Sequence, residues 1–167
     1  MINFSNIAVL LALIATGLIA GLFYSYSCSV NPGLNKLSDE NYLAAMQSIN
    51  RAILNPAFFI CFFGALILLP LSAYFNYGQA GGLKFWLLAV AAVVYAIGLF
   101  GVTVVFNVPL NNMLDKVDLT LVSAQQLSEI RQAFEKPWNC WHGIRTVAVI
   151  LSFILTGVAC IFPESLK

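Results

Sequence analysis

The chain has 167 residues, of which 60% are hydrophobic and only 9% charged, and its mean hydropathy is +0.87. A soluble domain carries roughly a quarter charged residues, so this composition excludes an ordinary wettable surface. The net charge of +1, without any basic block, excludes a nucleic-acid partner and a polybasic lipid site.

Apolar runs near the ~20 residues that cross a bilayer core recur along the chain, so its surroundings are a lipid bilayer. The expected fold is all-α, a four-transmembrane-helix bundle forming one membrane domain over 1–167. Two short amphipathic helices are expected to cap one membrane face. The spans are placed at about 7–30, 57–75, 85–106 and 144–162. No Lys or Arg precedes the first run, and it outlasts a signal core, so it reads as a retained span. Cys28, Cys61, Cys140 and Cys160 show no C-x-x-C spacing, and no disulfide framework is expected.

The first span carries Gly17, Gly21 and Ser25 four residues apart, a spacing that admits a neighbouring helix. Tyr24, Cys28 and Asn31 continue that stripe, so Tyr24 and Asn31 should face inward. Asn31-Pro32-Gly33 should end the helix. Ser38 then caps a helix over about 39–54. Tyr42, Met46, Ile49 and Ile53 form one of its stripes, and Gln47, Asn50 and Arg51 another. Asn55-Pro56 opens the second span as cap and first-turn proline, and Pro70 is a candidate kink.

A glycine-rich connection leads to the third span, which begins at Phe85-Trp86 and changes character at its far end. There Thr103, Asn107 and Asn111 lie four apart. An asparagine in lipid is costly unless hydrogen-bonded, so Asn107 should point into the bundle. Pro109 should break the helix beyond it. Ser123 and Gln126 make a capping box for a second short helix, with Leu127, Ile130 and Phe134 as its apolar stripe and Pro137 as its end. Trp138-Asn139-Cys140-Trp141-His142-Gly143-Ile144-Arg145-Thr146 then runs into the fourth span. Interfacial anchoring accounts for the tryptophans, but the His and the Arg each need a partner.

Four spans put both termini on one side of the membrane, and the unusual polar residues gather on the other. A polar mouth there, between helix ends, is a natural ligand pocket. Six of the eight basic residues, Lys36, Arg51, Lys116, Arg131, Lys136 and Arg145, lie on that elaborated side. The positive-inside rule assigns such a side to the cytoplasm. Phosphate loops, nucleophile elbows and metal-spaced His/Glu clusters are absent from the pattern. Cys140-x-His142 is too sparse for a metal site, so no metal is expected. The spans hold no acids, which argues against a proton-coupled transporter or cation channel. Nothing specifies an oligomeric state. Tyr, Trp, Asn, His and Arg together suit a flat aromatic, phenol-like or enolate-like ligand.

Several motifs carry a family resemblance in order and spacing. They are Asn31-Pro32-Gly33-Leu34, Ala45-Met46-Gln47-Ser48-Ile49-Asn50 and Asn55-Pro56-x-Phe58. Thr103-x-x-Phe106-Asn107-Val108-Pro109-Leu110-Asn111 and Trp138-x-x-Trp141-x-x-x-Arg145-Thr146 complete the set. The chain resembles the anthrone oxygenase-like integral membrane family over essentially its whole length. That resemblance implies four transmembrane helices and, from fungal members, oxygenation of an anthrone to an anthraquinone by O₂ without metal or flavin. His142 stands where Asn often follows the tryptophan in that family.

On this basis the expected activity is that of a cofactor-independent monooxygenase acting on an anthrone-like or hydroquinone-like aromatic and O₂. His142 would be the base that forms the enolate, with Arg145 or Arg51 as the cation for its oxyanion. Trp138, Trp141 and Tyr24 would hold the ring. Asn107 and Asn111 would orient polar groups, and Asn31, Gln47, Asn50 and Thr103 would line the same mouth. The alternatives are a non-catalytic membrane module binding a small apolar ligand or partner protein, and a pure helix-packing scaffold.

Overall fold

Lipid offers backbone amides no partners, so a chain this apolar satisfies them inside helices. The structure, a computed structural model describing residues 4–77 and 82–162, holds five helices and, among the described residues, no strand. Helices α1 (Phe4–Leu34), α3 (Pro56–Phe75), α4 (Leu83–Asp115) and α5 (Ala124–Ile161) are each long and apolar enough to cross a membrane. The protein is an all-α, multi-pass membrane protein. The short helix α2 (Asp39–Ala52) begins at Ser38, whose Oγ accepts from the Asn41 amide at 3.4 Å. Asn55 caps α3 by accepting from the Phe58 amide at 3.0 Å, and Ser123 with Gln126 forms the capping box of α5. The glycine-rich turn at 78–81 and the tail at 163–167 lie outside the described residues.

The prolines expected to end helices do not. α1 runs through Pro32, α4 through Pro109 and α5 through Pro137, while α3 is unbroken at Pro70. Two of the four are accommodated in the same way. Proline removes the amide that would bond the carbonyl four residues back, which for Pro32 is Cys28 and for Pro109 is Val105. Both carbonyls fall within π-helical stretches, Tyr26–Val30 and Thr103–Asn107. There the Asn31 amide reaches Tyr26 O and the Val108 amide reaches Thr103 O, bonds one residue longer than α-helical ones. The widened turn leaves room for the ring, and the helix continues.

Continuity at Pro137 changes the architecture most. The second short helix is the amino-terminal arm of α5 and not a separate cap. Tyr42, Leu43 and Met46 of α2 pack on this arm at Leu127, Phe134 and Trp138, with Leu114 of α4 alongside. Arg131 clamps it: Nε donates to Glu135 at 2.7 Å, Nη1 to Asp39 and the Leu37 carbonyl, and Nη2 to the Asn35 carbonyl. Burial, then the neighbouring Glu135, pushes the Tyr42 phenol far above its ordinary pKa under the same guanidinium.

Through the bundle centre, the inward residues of α1 are Ala12, Ala15, Ile19, Ala20 and Phe23, packed with Phe62, Ala65 and Leu69 of α3 and Tyr95 and Leu99 of α4. Gly17 meets the Phe153 ring of α5, but Gly21 faces open space and Tyr24 is 58% exposed. The inward face of α1 is therefore the alanine stripe, and Tyr24 does not point into the bundle as the glycine stripe suggested. At the opposite end Val9, Ala73, Leu88 and Ala159 pack together, and Asn76 donates to Ser5 Oγ at 2.9 Å.

One contact sets how closely α4 and α5 approach. A Cβ added at Gly98 would lie 2.7 Å from the Ala148 Cβ. Gly98→Ala should therefore destabilise the bundle by about 1–3 kcal/mol, the usual cost of overpacking, seen as a lower melting temperature in detergent. Adding Ala148→Gly should restore most of it; a double variant no better than the single one would show that this contact does not set the spacing.

Candidate functional site

Trp138, His142, Arg145 and Thr146 follow one another at helical spacing, so α5 presents them on one face. All four are buried. The Trp138 ring stacks on His142 with centroids 5.1 Å apart, and His142 stacks in turn on Phe23 at 5.3 Å. Arg145 sits over both outer rings of this stack, 4.9 Å from Phe23 and 5.5 Å from Trp138. Its Nη1 donates to Thr103 Oγ1 at 3.2 Å and its Nη2 approaches His142 Nδ1 at 3.4 Å.

These partners fix the imidazole. A guanidinium only donates, so Nδ1 carries the lone pair; a backbone carbonyl only accepts, so Nε2 carries the proton, 3.2 Å from the Phe23 carbonyl. Ser27 Oγ at 3.1 Å and Thr146 Oγ1 at 3.4 Å complete the surroundings of Nε2. His142 is thus a neutral, fully engaged ring. Arg145 is less satisfied. Its Nε has no partner, and it joins none of the ion pairs among the described residues, which are Arg51–Asp115, Arg131–Asp39 and Arg131–Glu135.

A cavity of about 260 Å³ opens at this guanidinium. Phe58, Phe62 and Phe100 supply much of its apolar wall, and Thr103, Asn111, Asn50, Tyr26 and His142 join Arg145 in lining it. Besides Arg145 Nε, Tyr26 Oη and Asn50 Nδ2 are buried there without partners. The polar end of the cavity therefore offers donors to a ligand and no carboxylate.

The expected site residues divide. Trp138, His142, Arg145, Thr103, Asn111 and Asn50 come together around the cavity, with Trp138 Nε1 donating to Asn111 Oδ1 at 2.8 Å. Asn107 is buried as expected, but behind the wall, where its Nδ2 donates to the Trp138 carbonyl at 3.3 Å. Arg51 lies elsewhere, in an exposed 2.6 Å pair with Asp115. Gln47 donates to the Leu114 and Val117 carbonyls at 2.8 and 2.9 Å, stitching α2 to the end of α4. Trp141 stacks on Phe106 at 3.7 Å outside the cavity, and neither Tyr24 nor Asn31 lines it. Phe23, Tyr26, Phe58, Phe62 and Phe100 were not anticipated. The alanine spacing of α1, continued through Ile19 to Phe23, and the Phe58/Phe62 repeat of α3 were the signals for them. Among the described residues no three His, Cys, Asp or Glu side chains gather as a metal site requires.

Four long apolar helices around a cavity with one cationic end define a multi-pass membrane protein with a candidate small-ligand site. The family described as anthrone oxygenase matches residues 58–155, more than half of the chain, and the chain belongs to that family. No curated protein and no solved structure matches it.

The Arg51–Asp115 pair is solvent-exposed, and exposed pairs contribute about 0–1 kcal/mol. Arg51→Ala should leave the melting temperature nearly unchanged and ligand affinity unaltered; a marked loss of affinity would return Arg51 to the site.

Proposed function

We propose that this protein is a cofactor-independent oxygenase that holds a flat, anthrone-like or hydroquinone-like aromatic as its enolate, with the oxyanion on Arg145. The supporting observation is the buried guanidinium without a carboxylate partner, aimed into an aromatic-walled cavity. Such a cation favours the ionised form of a bound acid. For an anthrone, the methylene proton passes to water and the enolate gives an electron pair to O₂. Protonation of the peroxide and loss of water then leave the ketone, so that anthrone and O₂ become anthraquinone and H₂O. The phenyl walls stack the ring, and Asn50, Tyr26 and Asn111 offer hydrogen bonds to its oxygens.

His142 has a different role here from the base expected of it. Accepting a ligand proton on Nδ1 would place an imidazolium 3.4 Å from the guanidinium. We assign it instead as a positioning residue that holds Arg145 over Phe23. Both termini belong, in this reading, on the membrane side opposite the cavity.

The test is O₂ consumption and anthraquinone formation by the purified protein supplied with anthrone. Arg145→Gln should lower turnover by about 10²–10³-fold, the usual cost of removing one oxyanion donor. His142→Gln retains a donor and an acceptor and should keep most of the activity with an unchanged pH profile. A lost lower pH limb in that variant would restore the base role. Anthrone binding without O₂ uptake would favour the non-catalytic ligand-binding module, and no binding at all would remove the site.

A further inference from the structure

We infer that the ligand reaches the cavity sideways from the lipid, between α3 and α4, so that the substrate is a membrane-dissolved molecule. This rests on the ligand reading above and adds the phase from which the ligand comes.

The cavity is asymmetric. Its unpartnered donors come from Arg145, Tyr26 and Asn50, while Phe63 of α3 and Val104 and Val108 of α4, which also line it, are 43%, 48% and 39% exposed. On membrane-spanning helices such exposure is to acyl chains. The helices also part at this level. α4 packs along α3 over residues 83–101 but has no comparable contact with it over Thr103–Asn107. The last closed contact is aromatic, with Phe100 lying 5.7 Å from Phe62 and 6.0 Å from Phe63. Beyond that contact Phe58 and Phe59 of α3 and Val104 and Val108 of α4 line the same cavity as the guanidinium.

Three other junctions around the cavity are held by hydrogen bonds. Ser27 bonds His142 and Thr146 between α1 and α5, at 3.1 and 3.2 Å. Trp138 bonds Asn111 between α5 and α4, and Gln47 ties α2 to the α4 end. A molecule passing an all-apolar gap to a buried cation must be apolar in transit and ionisable on arrival. Free phenols and enols meet both conditions. Aromatics carrying a sugar or another strongly hydrated group do not.

The cavity contains its own reporter, since Trp138 lines it. With Trp86→Phe and Trp141→Phe, Trp138 is the remaining tryptophan, and this variant would be reconstituted into phosphatidylcholine vesicles. A nitroxide-labelled alkane dissolved in the bilayer should quench Trp138, and acrylamide in the water should not. Val104→Phe, which narrows the gap, should remove most of the nitroxide quenching, and Phe63→Ala, which widens it, should increase it. Quenching by acrylamide, with nitroxide quenching indifferent to both substitutions, would overturn the lateral route. The readout needs neither anthrone nor turnover, so its failure is distinct from a failure of the oxygen assay.

Discussion

A buried guanidinium on a helix long and apolar enough to cross a membrane, without a carboxylate partner, is the constraint around which the rest is arranged. Insertion scales put the cost of an arginine at a helix centre at about 2.5–3.5 kcal/mol. Here a desolvated cation–π contact is worth about 2 kcal/mol and a hydrogen bond to a charged group about 1.5–3 kcal/mol. Arg145 has two aromatic faces, Phe23 and Trp138, and two neutral partners, Thr103 and His142. These are enough to keep the charge in place, and none of them cancels it. A carboxylate would have secured the side chain equally well while removing its field from the cavity.

The backbone around this residue follows from how lipid changes the meaning of proline. In water, Pro32, Pro109 and Pro137 would be sound helix stops, and reading them that way divides the chain into more, shorter pieces. In a bilayer, stopping a helix exposes several unbonded groups, whereas continuing through proline exposes fewer, and a π turn can re-bond those. The continuous α5 has the larger consequence. It joins the arm clamped by Arg131 to the spanning segment holding Arg145, so the packing of α2 outside also fixes the helix face that carries the site.

The four spans were legible because hydropathy over some twenty residues needs no knowledge of partners. The face of α5 was also legible, since Trp138, His142 and Arg145 share one side of an ideal helix. Register failed where helices are not ideal or where two stripes compete. On α1 the glycine spacing placed Tyr24 inward, but alanines form the packed face and Phe23 and Tyr26 enter the site. On α2 the polar stripe was treated as one group, yet only Asn50 reaches the cavity; Gln47 finds backbone carbonyls and Arg51 finds Asp115. Such choices depend on neighbours distant in sequence, which periodicity does not encode.

The segment that carries family membership, residues 58–155, contains Arg145 and His142, with Trp138, Thr103, Asn111 and the phenyl wall of α3. Phe23 and Tyr26 from α1, and Asn50 from α2, lie outside it. The cation and its stacking platform thus belong to the shared part, while the other ring over Arg145 and two unpartnered groups come from the rest of the chain. Two chains alike over that segment and different in α1 and α2 would present the same guanidinium in differently shaped cavities. If the proposed oxygenase reading holds, the group that would stabilise the developing charge comes from the shared segment, and part of the wall that would select the molecule comes from α1 and α2, the two meeting at one guanidinium.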